Sequence, residues 1–250
     1  MDISLQGLVI GETKLGDNKK YIKVLTDSIG SISVIVHGAN GHKSRNLAAV
    51  RPFTYSSFVL NQKKDSYTLK EASVIKSFFM LGSEPKVLAL ASYIISVAGY
   101  VSSQGEDTEK LLSLTLNSLY ALNDLKKTCE LTKAVFELKC AAVIGFAPAL
   151  VACSVCASQI VCGATLYVND GDILCEKCKS RRNTNEYQKT YVLTDAVISA
   201  MRYIVYSDIK KVFSFTLAED EEKLLCDVCE KYLMAHIEAT FPALGVYKSL

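Results

Sequence analysis

Four cysteines carry the clearest chemistry in this chain. They are spaced Cys153-x2-Cys156-x18-Cys175-x2-Cys178. Two residues between thiols let one turn present both sulfurs to one metal ion. Two such knuckles complete the tetrahedral thiolate set that Zn²⁺ prefers, with bonds of about 2.3 Å. Gly171 precedes the second pair where the chain must turn, and Lys177 and Lys179 lie close enough to offset thiolate charge. Four protein ligands leave no position for water, so the expected site is structural and not catalytic. Cys162, inside the loop, is the one alternative ligand.

The other cysteines read differently. Cys226-Asp-Val-Cys229 falls in a stretch of helical periodicity, where i and i+3 share a face. Two thiols do not close a site, and His236 is two turns away, so these are expected to be core cysteines. A thioredoxin-like pair would sit at a helix N-terminus after a strand, and this one does not. Six of the nine cysteines fall in Cys-x-x-Cys pairs. The start, Met1-Asp2-Ile3-Ser4-Leu5-Gln6-Gly7, lacks the basic and long apolar stretches of a secretory signal. The expectation is therefore a cytoplasmic protein that binds metal, not a disulfide framework.

Enzyme signatures are absent. The three histidines are His37, His42 and His236, and no His-Glu-x-x-His, Gly-x-Ser-x-Gly or dinucleotide-binding glycine pattern occurs. Gly38-Ala-Asn-Gly41-His-Lys43-Ser44 has two glycines and a lysine, but not the four-residue interval a phosphate-binding P-loop requires.

The elements that position these residues fall into three stretches. Residues 1–80 read as five strands: Ser4–Thr13, Tyr21–Thr26, Ser31–Val36, Phe53–Leu60 and Tyr67–Ile75. Ordered as a meander, they suit a small closed barrel such as the OB-fold. Residues 84–146 read as three helices, the last running from Glu130 to Ile144 and stopping at Gly145 and Pro148. Helical periodicity returns at 194–206, with Thr194 or Asp195 as N-cap, and at 219–240 behind the acidic Glu219-Asp-Glu-Glu222. The expected fold class is α+β: an OB-fold at 1–80, and a helical domain at 81–250 with a zinc-ribbon insertion at 149–189. The uncharged stretch from Cys140 to Asn169 is not a membrane span, because Gly145 and Pro148 interrupt it and polar residues dilute it.

Charge is unevenly spread. The net charge is +2 over the whole chain, yet residues 1–80 hold 11 Lys/Arg against 6 Asp/Glu and residues 191–250 hold 6 against 9. Such asymmetry is expected where one end meets a polyanion. Lys14, Lys19 and Lys20 flank the first strand connection, Lys63 and Lys64 the last, and His42, Lys43 and Arg45 occupy the glycine-containing loop after the third strand. OB-folds bind nucleic acid with these loops. Tyr21, Tyr55, Phe58 and Tyr67 are candidate stacking rings.

In order and spacing, several segments together resemble the bacterial DNA repair protein RecO family. They are Gly7-Leu-Val-Ile10, Leu25-Thr-Asp-Ser-Ile-Gly-Ser-Ile-Ser33, His37-Gly-Ala-Asn-Gly-His-Lys-Ser44, Phe136-Glu-Leu138, Gly145-Phe-Ala-Pro148 and the cysteine pairs. The resemblance implies an N-terminal OB-fold, a helical domain carrying a zinc-binding insertion, and no catalytic activity. It implies binding of single- and double-stranded DNA, strand annealing and help in loading the recombinase RecA. It also implies RecR and the acidic tail of single-strand binding protein as partners, and a nucleoid-associated location. Lys133 and Lys139, beside Phe136, are the basic residues that could receive that tail. Where relatives tend to carry Lys-Gly-Ala-Arg, this chain has His37-Gly-Ala-Asn40, which leaves less charge. Two rival readings are a zinc-dependent nucleic-acid-modifying enzyme and an OB-fold interaction scaffold that binds no nucleic acid.

Overall fold

A computed structural model describes residues 1–15, 19–37, 47–64, 66–102, 107–160, 163–180 and 189–250. The chain divides into two compact units, residues 1–124 with 241–250, and residues 125–240.

In the first unit, β1 (Asp2–Lys14), β2 (Lys19–Thr26), β3 (Ser31–His37), β4 (Thr54–Lys63) and β5 (Ser66–Ser77) form a closed barrel in the order β1-β2-β3-β5-β4. This is not the expected meander. β3 pairs with β5 in parallel, Val34 opposite Tyr67 and Ile35 opposite Thr68, while β5 pairs antiparallel with β4 and β4 with β1. A meander would close by pairing β5 with β1; here β4 takes the free edge of β1, and β5 completes the ring by lying between β4 and β3. Alternate residues of each strand point inward, so Leu5, Val9, Ile22, Val24, Ile32, Val34, Val36, Phe58 and Leu60 make the barrel core. β1 crosses β2 so closely at Gly7 that a Cβ there would lie 2.5 Å from Val24 Cγ1. Only glycine fits.

The same unit continues into α1 (Pro85–Val101) and α2 (Thr108–Asn123). Pro85 opens α1 at a position that needs no N–H, and the Asp107 carboxylate caps α2 by accepting from the Lys110 amide. Both helices pack on the outside of β1 and β2. There the Lys23 ammonium donates to the Gly99 carbonyl at 3.4 Å, and Ile10 sits against Gly99. The last helix, α7 (Pro242–Ser249), packs on α1, with the Phe241 ring edge-on to Tyr93 and Tyr100 and the Lys86 ammonium over Tyr247. The change from strands to helices near residue 80 therefore does not coincide with the division between compact units. The apolar outer face of β1–β2 needs cover, and α1 and α2 supply it.

The second unit is built on α3 (Cys129–Val143), α5 (Asp195–Tyr206) and α6 (Glu219–His236). Thr128 caps α3 and Thr194 caps α5 through their hydroxyls. Four acidic residues in the first turn of α6 favour its N-terminal dipole. Between α3 and α5 lie β6 (Ala164–Tyr167), β7 (Asp172–Cys175), the short α4 (Glu176–Lys179) and β8 (Thr190–Leu193), with the three strands ordered β7-β6-β8. Among the described residues no helix is long and apolar enough to cross a membrane.

A four-cysteine cluster and a basic barrel face

The cysteine cluster is assembled from two turns. Knuckle one leaves Leu150, turns with Ala157 in the left-handed region at φ 56°, and returns to Ile160. The Cys153 amide donates to the Ser158 carbonyl at 2.9 Å, and the Ala157 amide to the Cys153 carbonyl at 2.9 Å. Knuckle two is the end of β7 and the start of α4. Gly171 makes the preceding hairpin possible: its φ is +72°, and a Cβ there would lie 2.7 Å from the Tyr232 hydroxyl. Backbone amides join the knuckles, that of Ser154 donating to the Ile173 carbonyl at 2.9 Å and that of Cys175 to Cys153 Sγ at 3.5 Å.

The sulfurs of Cys153, Cys156, Cys175 and Cys178 all lie within 4.8 Å of one another, so the cluster could hold a metal ion. Cys156 and Cys175 approach to 3.9 Å. A zinc–thiolate tetrahedron with bonds of about 2.3 Å has edges of about 3.8 Å, so the separation fits. Electrostatics agree. Burial acts to raise the Cys153 thiol, but the amides of Cys156, Cys175 and Val155 outweigh it and hold it at about 6. Cys178, hydrogen-bonded to Cys156 and partly desolvated, is pushed up to about 12. Four clustered thiols cannot all ionise without a cation among them, and one beside them removes that conflict. Cys162 lies outside the described residues.

Cys226 and Cys229 do not join this cluster. Burial pushes the Cys226 thiol up to about 12 and raises that of Cys229 well above its ordinary value. Cys229 is buried in the helical unit and Cys226 is half-buried beside it.

On the barrel, the pleat separates the basic residues into two kinds. Outward along β2 stand Lys19, Tyr21 and Lys23, opposite His37, Ile35 and Ser33 of β3. The Lys23 end of this stripe meets α1, which leaves Lys19, Tyr21, Ile35 and His37 at the other end. Lys14 is exposed at the end of β1. Lys63 and Lys64 are exposed at the β4–β5 turn, Lys64 with φ 50°. Lys20 points the other way, bonding Glu12 at 2.8 Å and the Val50 carbonyl at 3.1 Å. His42, Lys43 and Arg45 lie outside the described residues.

Among the expected stacking rings, Phe58 is fully buried in the barrel core and Tyr67 packs against that core. Both strand positions have inward parity; full burial removes Phe58 as a stacking ring, while Tyr67 keeps partial exposure. Tyr55 is half-buried and donates to Gln6 Oε1 at 2.5 Å, and Tyr21 remains on the outer face of β2.

The structure corrects the expectation for Lys133 and Lys139. Both lie on α3 and are buried, at 1% and 7% exposure. The Lys133 ammonium bonds Glu137 and Glu230, each at 2.9 Å. Burial alone would lower its pKa, but Glu137, Cys226 and Glu230 outweigh burial and raise it. Lys139 donates to the carbonyls of Val205 at 2.8 Å and Ser207 at 2.7 Å. Their charge holds helices together and is not offered to an acidic peptide.

Arg202 was not foreseen. Its guanidinium, on α5, donates to the carbonyls of Leu150 and Ile160, both at 2.8 Å. These partners are 52 and 42 positions away, so no local pattern could reveal the contact.

A five-stranded closed barrel, followed by a helical part bearing a four-cysteine knuckle pair, defines an OB-fold protein with an inserted cysteine cluster that could hold a metal ion. The comparisons then narrow that class. Residues 1–78 match the family described as "Recombination protein O N terminal" and residues 82–244 the one described as "Recombination protein O C terminal". The chain belongs to the RecO family of DNA repair proteins. It is similar to "DNA repair protein RecO" of Acetivibrio thermocellus, with 27% identity over 99% of this chain and 97% of the relative. Proteins of the same name from Alkaliphilus metalliredigens and Caldicellulosiruptor bescii are each 26% identical, over 100% and 98% of both chains.

Proposed function

We propose that this protein is a non-catalytic recombination mediator that holds and anneals DNA strands on its barrel and assists recombinase loading. The carrying observation is the outer face of β2–β3. There Tyr21 stands beside Ile35, with Lys19 and His37 at the next register position toward the loops. Lys14 stands exposed opposite Lys20 at the end of β1, Lys63 and Lys64 are exposed at the β4–β5 turn, and His42, Lys43 and Arg45 follow β3 in the chain. Such a face neutralises phosphates without reading bases, and a ring beside it stacks on any base. Annealing then requires only that two strands share one basic surface. Lys20, held by Glu12 and Val50, supports the face and is not a primary phosphate ligand.

The four-cysteine cluster takes one Zn²⁺ in this reading. The metal closes the two knuckles into a rigid lobe and leaves no site for substrate, which disfavours the enzyme reading. RecR and the acidic tail of single-strand binding protein remain the proposed protein partners, with the tail received elsewhere than at Lys133 and Lys139. The proposed location is cytoplasmic and nucleoid-associated.

The experiment is binding of labelled single strands to the full-length protein at several salt concentrations. A steep inverse dependence on salt supports this function. Absence of binding at low salt supports the interaction-scaffold reading instead.

A further inference from the structure

The first knuckle is a nine-residue excursion, residues 151–159, whose two ends meet at Leu150 and Ile160. Two features close its neck. Ala152 and Gln159 form an isolated antiparallel bridge, made by the bond from the Cys153 amide to the Ser158 carbonyl at 2.9 Å and the longer one from the Ile160 amide to the Val151 carbonyl at 3.5 Å. Arg202 supplies the second. Its Nε donates to the Leu150 carbonyl and its Nη2 to the Ile160 carbonyl, so one planar group holds both ends at 2.8 Å. The side chains of Leu150 and Ile160 are buried, at 0% and 2% exposure, so neither end has an easy exit.

The consequence reaches the sulfurs. Cys153 and Cys156 ride on this excursion, whereas Cys175 and Cys178 ride on the separate β7–α4 turn. The two pairs come together only if the excursion leaves the body of the unit at the correct place. α5 begins directly after β8, which pairs with β6, which pairs with β7. Arg202 therefore ties the first knuckle to the element continuous with the sheet that carries the second.

We infer that Arg202 is a positioning residue for the metal cluster: by bridging the Leu150 and Ile160 carbonyls it sets the first cysteine pair against the second and so sets metal affinity and residence time. This rests on the proposed metal reading. A rigid fork suits the task, because two carbonyls on different strands of the neck need two donors at fixed spacing. A lysine ammonium is a point charge on a flexible stem and does not reproduce it. Residues that orient metal ligands typically change affinity by about 10- to 100-fold when replaced.

The test uses the full-length protein loaded with zinc. Stoichiometry is measured first, then the rate of zinc transfer to a colorimetric chelator, and then thermal unfolding of loaded and metal-free forms. Arg202→Met is expected to release zinc about 10- to 100-fold faster than the parent, and Arg202→Lys at an intermediate rate. In both variants the increment that zinc adds to thermal stability should shrink, while the metal-free forms unfold close to the metal-free parent. A parent that binds no zinc overturns the metal reading and this inference with it. A parent with one zinc and variants that release it at the parent rate overturn only the inference. So does an equal loss of stability in loaded and metal-free variants, which would make Arg202 a plain structural residue. Arg202→Lys keeps a cation at the neck, so it decides the matter if Arg202→Met does not fold.

Discussion

The barrel and the helical unit both carry lysines, but use them in opposite ways. On the barrel, Lys14, Lys19, Lys63 and Lys64 stand exposed at strand ends and turns. In the helical unit, Lys133 and Lys139 are buried, the first against Glu137 and Glu230 and the second against two carbonyls. A count of basic residues near an aromatic does not locate an anion site. What matters is whether the charge is already satisfied. A buried cation with partners holds the fold together, whereas an exposed one at a loop rim can meet a phosphate at little desolvation cost.

The largest expected effect lies on the buried side. Lys133→Met leaves Glu137 and Glu230 buried without their shared cation and should destabilise the helical unit by about 3–5 kcal/mol. Thermal unfolding should show this, with DNA binding by the barrel preserved below the transition. A variant as stable as the parent would remove the contrast drawn above.

Next comes the cluster. Cys175→Ser, or zinc removal by a chelator, should raise amide exchange across residues 149–193 and leave the barrel strands protected, because the two units have separate cores. Exchange that rises equally in β1–β5 would mean that the units do not fold independently.

On the exposed side, Tyr21→Ala should weaken single-strand binding by about 1–3 kcal/mol through lost stacking, while Phe58 substitutions should act through barrel stability alone. Titration with labelled oligonucleotide separates the two. Replacing Lys43 and Arg45 together by alanine should reduce the slope of log K against log salt by about two, with no change in sequence preference. An unchanged slope would assign DNA contact to Lys14, Lys19, Lys63 and Lys64 instead.

The smallest effect concerns the cysteines outside the cluster. With its thiol pushed up to about 12, Cys226 should resist alkylation at pH 8 in the folded, metal-loaded protein. Peptide mapping after a brief iodoacetamide pulse checks this, and labelling as fast as in a free thiol would place Cys226 outside the core.

Much of this protein was legible in its sequence because the signals were local. Cys-x-x-Cys spacing needs one turn to act, so the cluster at Cys153, Cys156, Cys175 and Cys178 could be read without a fold. The helices α1, α2, α3 and α5 lay where periodicity and caps put them, and the five barrel strands stood at their alternating segments. The three strands β6, β7 and β8 were hidden among turn formers, since four residues carry too little periodicity to register. α7 was missed because its stability comes from Phe241 and Tyr247 packing on α1, far away in the chain.

Tertiary structure alone decided three matters. It set the parallel pairing of β3 with β5, which follows once β4 and not β5 takes the free edge of β1, a long-range choice that no local residue pattern records. It sorted the lysines, because only packing determines whether a cation faces solvent or a carboxylate. It also brought Arg202 to both ends of the first knuckle, a contact between distant residues that exists only when helix and loop are docked. Sequence determines which groups are present and how neighbours are spaced; the fold determines which charges and donors are already spent.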